Sequence, residues 1–411
     1  MLDKIKNFLS NNIYFCLFYL FISLCFVTIL KEIPYISSIF PKVAIVWGLL
    51  LVLIHSVKII KRRPNLIELA LFSFLMITLF SNLFFYKSTE NLKIWIENCI
   101  ILLGIFFINL DKTEKQLQKE LNIFSHFISI FTFIFSIASN ILFFSGISFT
   151  INEVIYGSGD GKGFQGLYIY KNALAIASGI GLVVTYFLLL KNRNSNLKLK
   201  TFYVINIVSQ LLPFIYSEGR SAYFLIIAIP FVLVFMRIKN KYFRRALIIL
   251  PVILGIVSFA IFHEKLYDLL SARNELWYSA WLVIKNNPIF GVGNAALVDT
   301  VYAARPGVVL PGIESGGLHN IFLQILTANG LIALIVFLSI ILFSFSYLIK
   351  ILDRSYGNMK KIDFTIFSLL VGLVFVNLFE SNLIYIVSFI SFIFWTYLGY
   401  FISIKSKKNR L

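Results

Sequence analysis

The sequence predicts an all-α polytopic membrane protein with about 12 transmembrane helices and one large extracytoplasmic loop, and three observations predict it. Hydrophobic residues make up 59% of the 411 residues and charged ones only 14%, which is far from the balance of a soluble domain. The apolar residues fall in long runs, and a span needs roughly 20 mostly apolar residues to cross the hydrocarbon core. Twelve such runs centre near residues 21, 50, 76, 102, 134, 178, 209, 228, 254, 340, 372 and 393. Basic residues then alternate with the runs. With the N-terminus in the cytoplasm, 26 of the 37 Lys and Arg lie on one side, from Lys4 and Lys6 through Arg62 and Arg63 to Lys407 and Arg410. The other side keeps 11 basic residues against 12 acidic ones. This asymmetry is the positive-inside pattern. It accounts for the net charge of +18 without a nucleic-acid partner, and it places both termini in the cytoplasm.

Taken in order, the elements divide into residues 1–263 with the first nine spans, a loop over 264–318, and 319–411 with the last three. The first run, residues 12–30, is too long for a signal-peptide core and has no small-x-small cleavage site, so it stays as a helix. Cys16, Cys25 and Cys99 fall inside spans with no CxxC pair and read as core thiols. His55 and His126 lie within spans and His263 at a span end, and all three read as structural. Between the fifth and sixth spans runs SFTINEVIYGSGDGKGFQGLYIYKN. Its Gly157, Gly159, Gly161 and Gly163 suit a flexible turn. Lys162 is not followed by Ser or Thr, so the segment is not a P-loop.

The spans near 209 and 228 are short and joined only by Ser217, Glu218, Gly219 and Arg220, so they could also form a re-entrant pair. Arg220 at this helix end either binds an anion or pairs with Glu218 and the head groups. In the large loop, Arg273, Trp277, Ala280, Trp281 and Ile284 recur at steps of three and four, which draws one helical face. Such a helix lies along the membrane interface with Trp277 and Trp281 as anchors. Asn286, Asn287 and Pro288 stop it, and Gly291 to Gly293 turn the chain. Further on, Gly316, Gly317, Leu318, His319 and Asn320 open a helix that breaks near Asn329 and Gly330 before becoming the tenth span. The positive end of that helix dipole favours the neutral form of His319, the form a general base needs; a structural histidine is the alternative.

The order of these features resembles the O-antigen ligase and O-antigen polymerase superfamily of bacterial envelope enzymes. The resemblance runs from about residue 163 to 345 and is carried by GLYIYKNALA, SEGRSA, RNELWYSAWLVIKNNPIFGVG and GLHNIFLQILTANGLIAL. Family members commonly carry Ser-Arg at the second motif, where Glu218 and Gly219 intervene here before Arg220. The resemblance implies a helical, C-type glycosyltransferase-like fold in the bacterial cytoplasmic (inner) membrane, with the active site facing outward. It implies transfer of a preassembled glycan from undecaprenyl diphosphate to a glycolipid or lipid-linked glycan acceptor, with no cofactor, metal or nucleotide. Carried over by motif, Arg220 and Arg273 hold the diphosphate and His319 serves the attacking hydroxyl or the departing phosphate.

That chemistry agrees with the residue types. A departing diphosphate gathers negative charge, which fixed arginines can neutralise, and an acceptor hydroxyl must lose a proton as it attacks. Glu218 is the competing base, weakened by the adjacent Arg220, which favours its carboxylate. The acceptor separates two readings: a ligase delivers a finished O-antigen or teichoic-type glycan to an anchor, whereas a polymerase joins lipid-linked repeat units. A lipid-linked sugar transporter or flippase is the reading of another class. It places ionisable groups near the bilayer midplane, whereas Arg220, Arg273 and His319 fall at one boundary.

Overall fold

The computed structural model describes residues 8–158, 163–262, 270, 272–313 and 317–408. Outside the described residues lie Lys4, Lys6 and Arg410 at the termini, Gly159, Gly161 and Lys162 in the glycine-rich segment, His263 and most of 264–271 in the large loop, and Gly316.

The described chain is a helical bundle. α1 (Asn12–Cys25) precedes α2 (Pro34–Lys61) and α3 (Leu66–Ser81), which continues as a π turn, Asn82–Tyr86. α4 (Thr89–Cys99) likewise runs into a π turn, Ile100–Ile105. α5 (Glu114–Ser145) leads to a hairpin of β1 (Ser148–Ile151) and β2 (Val154–Gly157). Then come α6 (Lys171–Lys191), α7 (Leu197–Tyr216), α8 (Tyr223–Arg237) and α9 (Lys241–Phe262). The large loop holds α10 (Arg273–Asn286) and α11 (Asn294–Ala303). α12 (Ile321–Leu352), α13 (Gly357–Val376) and α14 (Phe389–Lys408) complete the chain.

Nine helices among the described residues are long and apolar enough to cross a membrane. The other three expected centres, near 21, 102 and 372, also fall on helical structure. There α1 has only 14 residues, α4 has 11 before its π turn, and α13 carries Lys360, Lys361 and Asp363 in its first two turns. α7 is one span-length element, and α8 together with the 3-10 turn Arg220–Ala222 that leads into it is another.

The core gathers around α6 and α14, whose apolar stretches are 83% and 94% buried. α8 packs on α13, α3 on α12, and α6 on α5, α7 and α13. The apolar stretch of α9 is 0% buried. A helix with all its backbone bonds satisfied internally and an apolar surface all round is what lipid contact permits.

The bundle has two chemically different ends. At one, ion pairs join helix ends and the short connections beside them, where the sequence is rich in basic residues: Lys58 to Asp111, Arg244 to Asp353 and Lys405 to Asp363. At the other, Ile29 donates to the Leu167 carbonyl, Asn152 donates to Glu32 and Tyr86 donates to the Phe290 carbonyl. The hairpin at this second end was expected only as a flexible turn. Its register pairs Phe149 with Tyr156, whose rings stack 5.7 Å apart. Asn152 and Glu153 between the strands both take positive φ, 45° and 67°, as a tight two-residue hairpin loop requires. Glu is an unusual choice there, which conceals the turn in the sequence.

Candidate functional site

The His319-Asn320 pair shows how the site is built. Asn320 is the N-cap of α12: its side chain accepts from the backbone N–H of Phe322 and Leu323 at 3.1 and 3.0 Å, satisfying two of the donors that a helix start leaves unpaired. Its own N–H donates to Ser381 Oγ at 3.1 Å, and the N–H of Ile321 donates to the Asn377 carbonyl at 3.0 Å. The start of α12 is thereby docked on the irregular segment between α13 and α14. His319, one residue before the cap, has φ 47°, a left-handed conformation that costs about 1–3 kcal/mol in a non-glycine residue unless the surroundings fix it. The surroundings are explicit. Trp277 of α10 donates its indole N–H to the Leu318 carbonyl at 2.8 Å, and the Leu318 N–H donates to Gln324 Oε1 at 3.3 Å.

This conformation turns the imidazole towards Glu380. His319 Nδ1 lies 3.5 Å from Glu380 Oε2, and the other carboxylate oxygen collects three donors. Ser221 Oγ reaches Oε1 at 3.1 Å, Asn172 Nδ2 at 3.3 Å and Arg273 Nη2 at 3.4 Å. Glu380 is only 7% exposed, and burying a carboxylate this far is costly unless donors are paired with it. Arg273 opens α10 directly after Ala272, which also takes positive φ, 62°. Five parts of the chain therefore meet at one carboxylate: the first turn of α6, the turn before α8, the start of α10, the approach to α12 and the break after α13.

Each residue singled out in the sequence can be placed against this cluster. Arg273 and His319 touch the same carboxylate from opposite oxygens. Arg220 starts the 3-10 turn whose next residue, Ser221, donates to Glu380, and its own side chain is exposed. Glu218, with φ 57°, is also exposed and faces Lys171 Nζ at 3.7 Å. Trp277 is partly buried and pins the backbone next to His319, whereas Trp281 is 46% exposed with Lys285 over its ring at 5.6 Å.

Sequence reasoning missed Glu380, Ser221 and Asn172. Glu380 is a carboxylate in a short break between two apolar helices, at the membrane edge where the topology also places Arg220, Arg273 and His319; that shared edge is the signal that could have found it. Nothing comparable marks Ser221 or Asn172, whose roles depend on which helices become neighbours. Among the described residues no cluster of three or more His, Cys, Asp and Glu is placed to hold a metal ion.

The glycine motifs serve a second junction. At Gly330, with φ 78° and ψ −178°, α12 breaks its helical path. The carbonyls of Thr327 and Ala328 then accept from the N–H groups of Val292 and Gly293 at 3.1 and 2.7 Å, and the Leu331 N–H donates to the Pro288 carbonyl at 2.9 Å. A Cβ at Gly330 would lie 2.0 Å from the Ile289 carbonyl oxygen, and one at Gly291 2.5 Å from Thr327 O. Two backbones approach too closely here for any other residue.

Residues 205–338 match the model of the family described as O-antigen ligase, and the matched segment contains Glu218, Arg220, Arg273 and His319. Asn172 and Glu380 lie outside it. No curated protein matches the chain.

Proposed function

With an O-antigen ligase domain over residues 205–338 as the premise, which supports a ligase- or polymerase-type role in glycan assembly at a membrane, we propose that the chain transfers a glycan from a polyprenyl diphosphate to a hydroxyl of a lipid-anchored acceptor. The observation that carries this reading is the convergence of Arg273 and His319 on the buried Glu380. The site faces the outer side of the cytoplasmic membrane, opposite the end rich in Lys and Arg.

In this reaction the acceptor oxygen attacks the anomeric carbon and the bond from that carbon to the phosphate oxygen breaks. The electron pair leaves with the diphosphate, and the hydroxyl proton passes to His319. Nδ1 faces Glu380, so Nε2 is the nitrogen that takes the proton, and the carboxylate stabilises the imidazolium as it forms. Arg273, held in place by Glu380, and Arg220, exposed one residue from Ser221, meet the charge growing on the leaving diphosphate. Glu218 is the weaker alternative base, since its partner is Lys171 and it makes no contact with the Glu380 cluster among the described residues.

The acceptor remains the branch point: a finished glycan joined to an anchor makes a ligase, and a second lipid-linked repeat makes a polymerase. The protein purified in nanodiscs with chelator present and given undecaprenyl-diphosphate glycan should consume donor only on addition of an anchored acceptor if it is a ligase, and should consume donor alone, yielding lengthened lipid-linked glycan, if it is a polymerase. Full activity in the double variant Arg273→Ala, His319→Ala would sink the proposal. The anchor at the reducing end of the product identifies the acceptor.

A further inference from the structure

A cleft of about 800 Å³ opens at the far end of α10, and none of Glu218, Arg220, Arg273, His319 and Glu380 borders it. Its lining is of two kinds. Phe85 and Phe290 supply aromatic surface, their rings stacked 4.1 Å apart. Ser88, Asn287 and Asp299 supply polar groups. Asp299 is exposed and its side chain takes part in no hydrogen bond or ion pair among the described residues, so its carboxylate is open to a ligand. The hydroxyl of Tyr86, by contrast, is engaged with the carbonyls of Phe290 and Ala328 and serves as a strut.

The cleft is physically tied to the Glu380 site. α10 begins at Arg273 and ends beside Asn287; the first segment of α12 begins beside His319 and ends at the Gly330 break, against Ile289 and Phe290. The two helices are joined at both ends, by Trp277 to Leu318 near the site and by Val292 to Thr327 near the cleft. At 1.5 Å per residue, the 14 residues of α10 span about 21 Å and the nine from Ile321 to Asn329 about 14 Å. The cleft therefore sits roughly 15–20 Å from the reacting groups, on the same end of the bundle, at a spacing set by two helices.

Aromatic rings beside amide and carboxylate groups match one ligand chemistry in particular. A sugar presents apolar C–H faces that lie on rings and hydroxyl edges that donate to carboxylates and accept from amides. We propose that this cleft is a carbohydrate subsite holding a sugar residue of the glycan several units away from the bond that is made; this rests on the reading that the chain handles a lipid-linked glycan. Contact at such a distance gives the enzyme a measure of chain length, because a glycan of one or two sugars does not reach it.

The test uses the full chain in nanodiscs with Asp299→Ala, which removes the open carboxylate, and Ala296→Trp, which fills the cleft from an exposed position on α11. The probes are lipid-free fragments of the host's surface polysaccharide several repeats long, titrated calorimetrically, and donors and acceptors of increasing glycan length in a transfer assay. Both variants should weaken fragment binding at least tenfold. In either the donor or the acceptor series they should raise KM tenfold for long glycans and leave the one- and two-sugar members unchanged. No fragment binding by the unaltered protein, binding indifferent to both substitutions, or an equal loss for short and long substrates overturns the subsite and leaves the cleft to lipid. Fragment binding that is sensitive to Asp299→Ala, in a protein that transfers nothing, supports the subsite and defeats the proposed reaction instead.

Discussion

Glu380 ties together groups that lie almost 150 residues apart in the sequence, from Asn172 to His319. Because it is 7% exposed and balances Arg273, Glu380→Gln should lower stability by about 2–3 kcal/mol, read as a drop in thermal midpoint in detergent. The same change frees the His319 ring from its carboxylate, so activity should fall by more than the folded fraction does. His319→Ala should cost about 10²–10⁴-fold in kcat, the usual contribution of a positioned general base, and Arg273→Ala about 10²–10³-fold, as for removal of a donor that faces developing charge. Glu218→Gln separates the two possible bases: with its side chain exposed and paired to Lys171, the proposal expects transfer within about threefold of the unaltered rate, well short of what a general base contributes. A loss as large as that of His319→Ala would exchange their roles.

At the scale of elements, the breaks in helices position the chemistry. An unbroken α12 would carry its start away from α10, and the Gly330 break is what allows the 288–293 segment to cross it with three backbone hydrogen bonds. Gly330→Ala should therefore destabilise by at least about 1–3 kcal/mol, from the left-handed φ alone, with the steric conflict against Ile289 added. Gly255→Ala in α9 is the internal control. Nothing lies within 4 Å of a Cβ there, so helix propensity alone operates and stability should hold or rise by up to about 1 kcal/mol. Melting curves of the two variants should move in opposite directions or differ by several degrees. The periodicity of Arg273, Trp277 and Trp281 was legible as a helix, whereas the use of Trp277 as a hydrogen-bond donor to the residue before His319 was not, because it depends on a neighbour 41 residues away.

At the scale of the whole molecule, the separation of the two ends yields a topological prediction. Cysteines introduced at Asn294 and at Lys200 should be labelled from opposite sides of intact cells, Asn294 by an impermeant maleimide added outside and Lys200 only after permeabilisation. The native thiols Cys16, Cys25 and Cys99 are all buried and give a quiet background. Labelling of both from outside would overturn the assignment of the basic end to the cytoplasm. Of the twelve runs read from the sequence, nine fall on helices among the described residues that are long and apolar enough to cross a membrane, and the other three fall on shorter or more polar helical structure. Run length alone did not rank them by environment: the apolar stretch of α9 is 0% buried and that of α14 94% buried, and the bare helix is the more apolar, with a mean hydropathy of 2.5 against 1.2.

By itself the sequence determined the all-α membrane class and the alternation of basic and neutral loops, and it singled out Arg220, Arg273 and His319, because hydropathy, charge and local periodicity are recorded in neighbouring residues. Only the tertiary structure decided that a carboxylate from the break before α14 joins them, that Glu218 turns towards Lys171, and that two helices run from this cluster to a separate cleft. Those facts follow from which helices pack together. Packing is settled by complementary surfaces between segments far apart in the chain, and no local pattern records it.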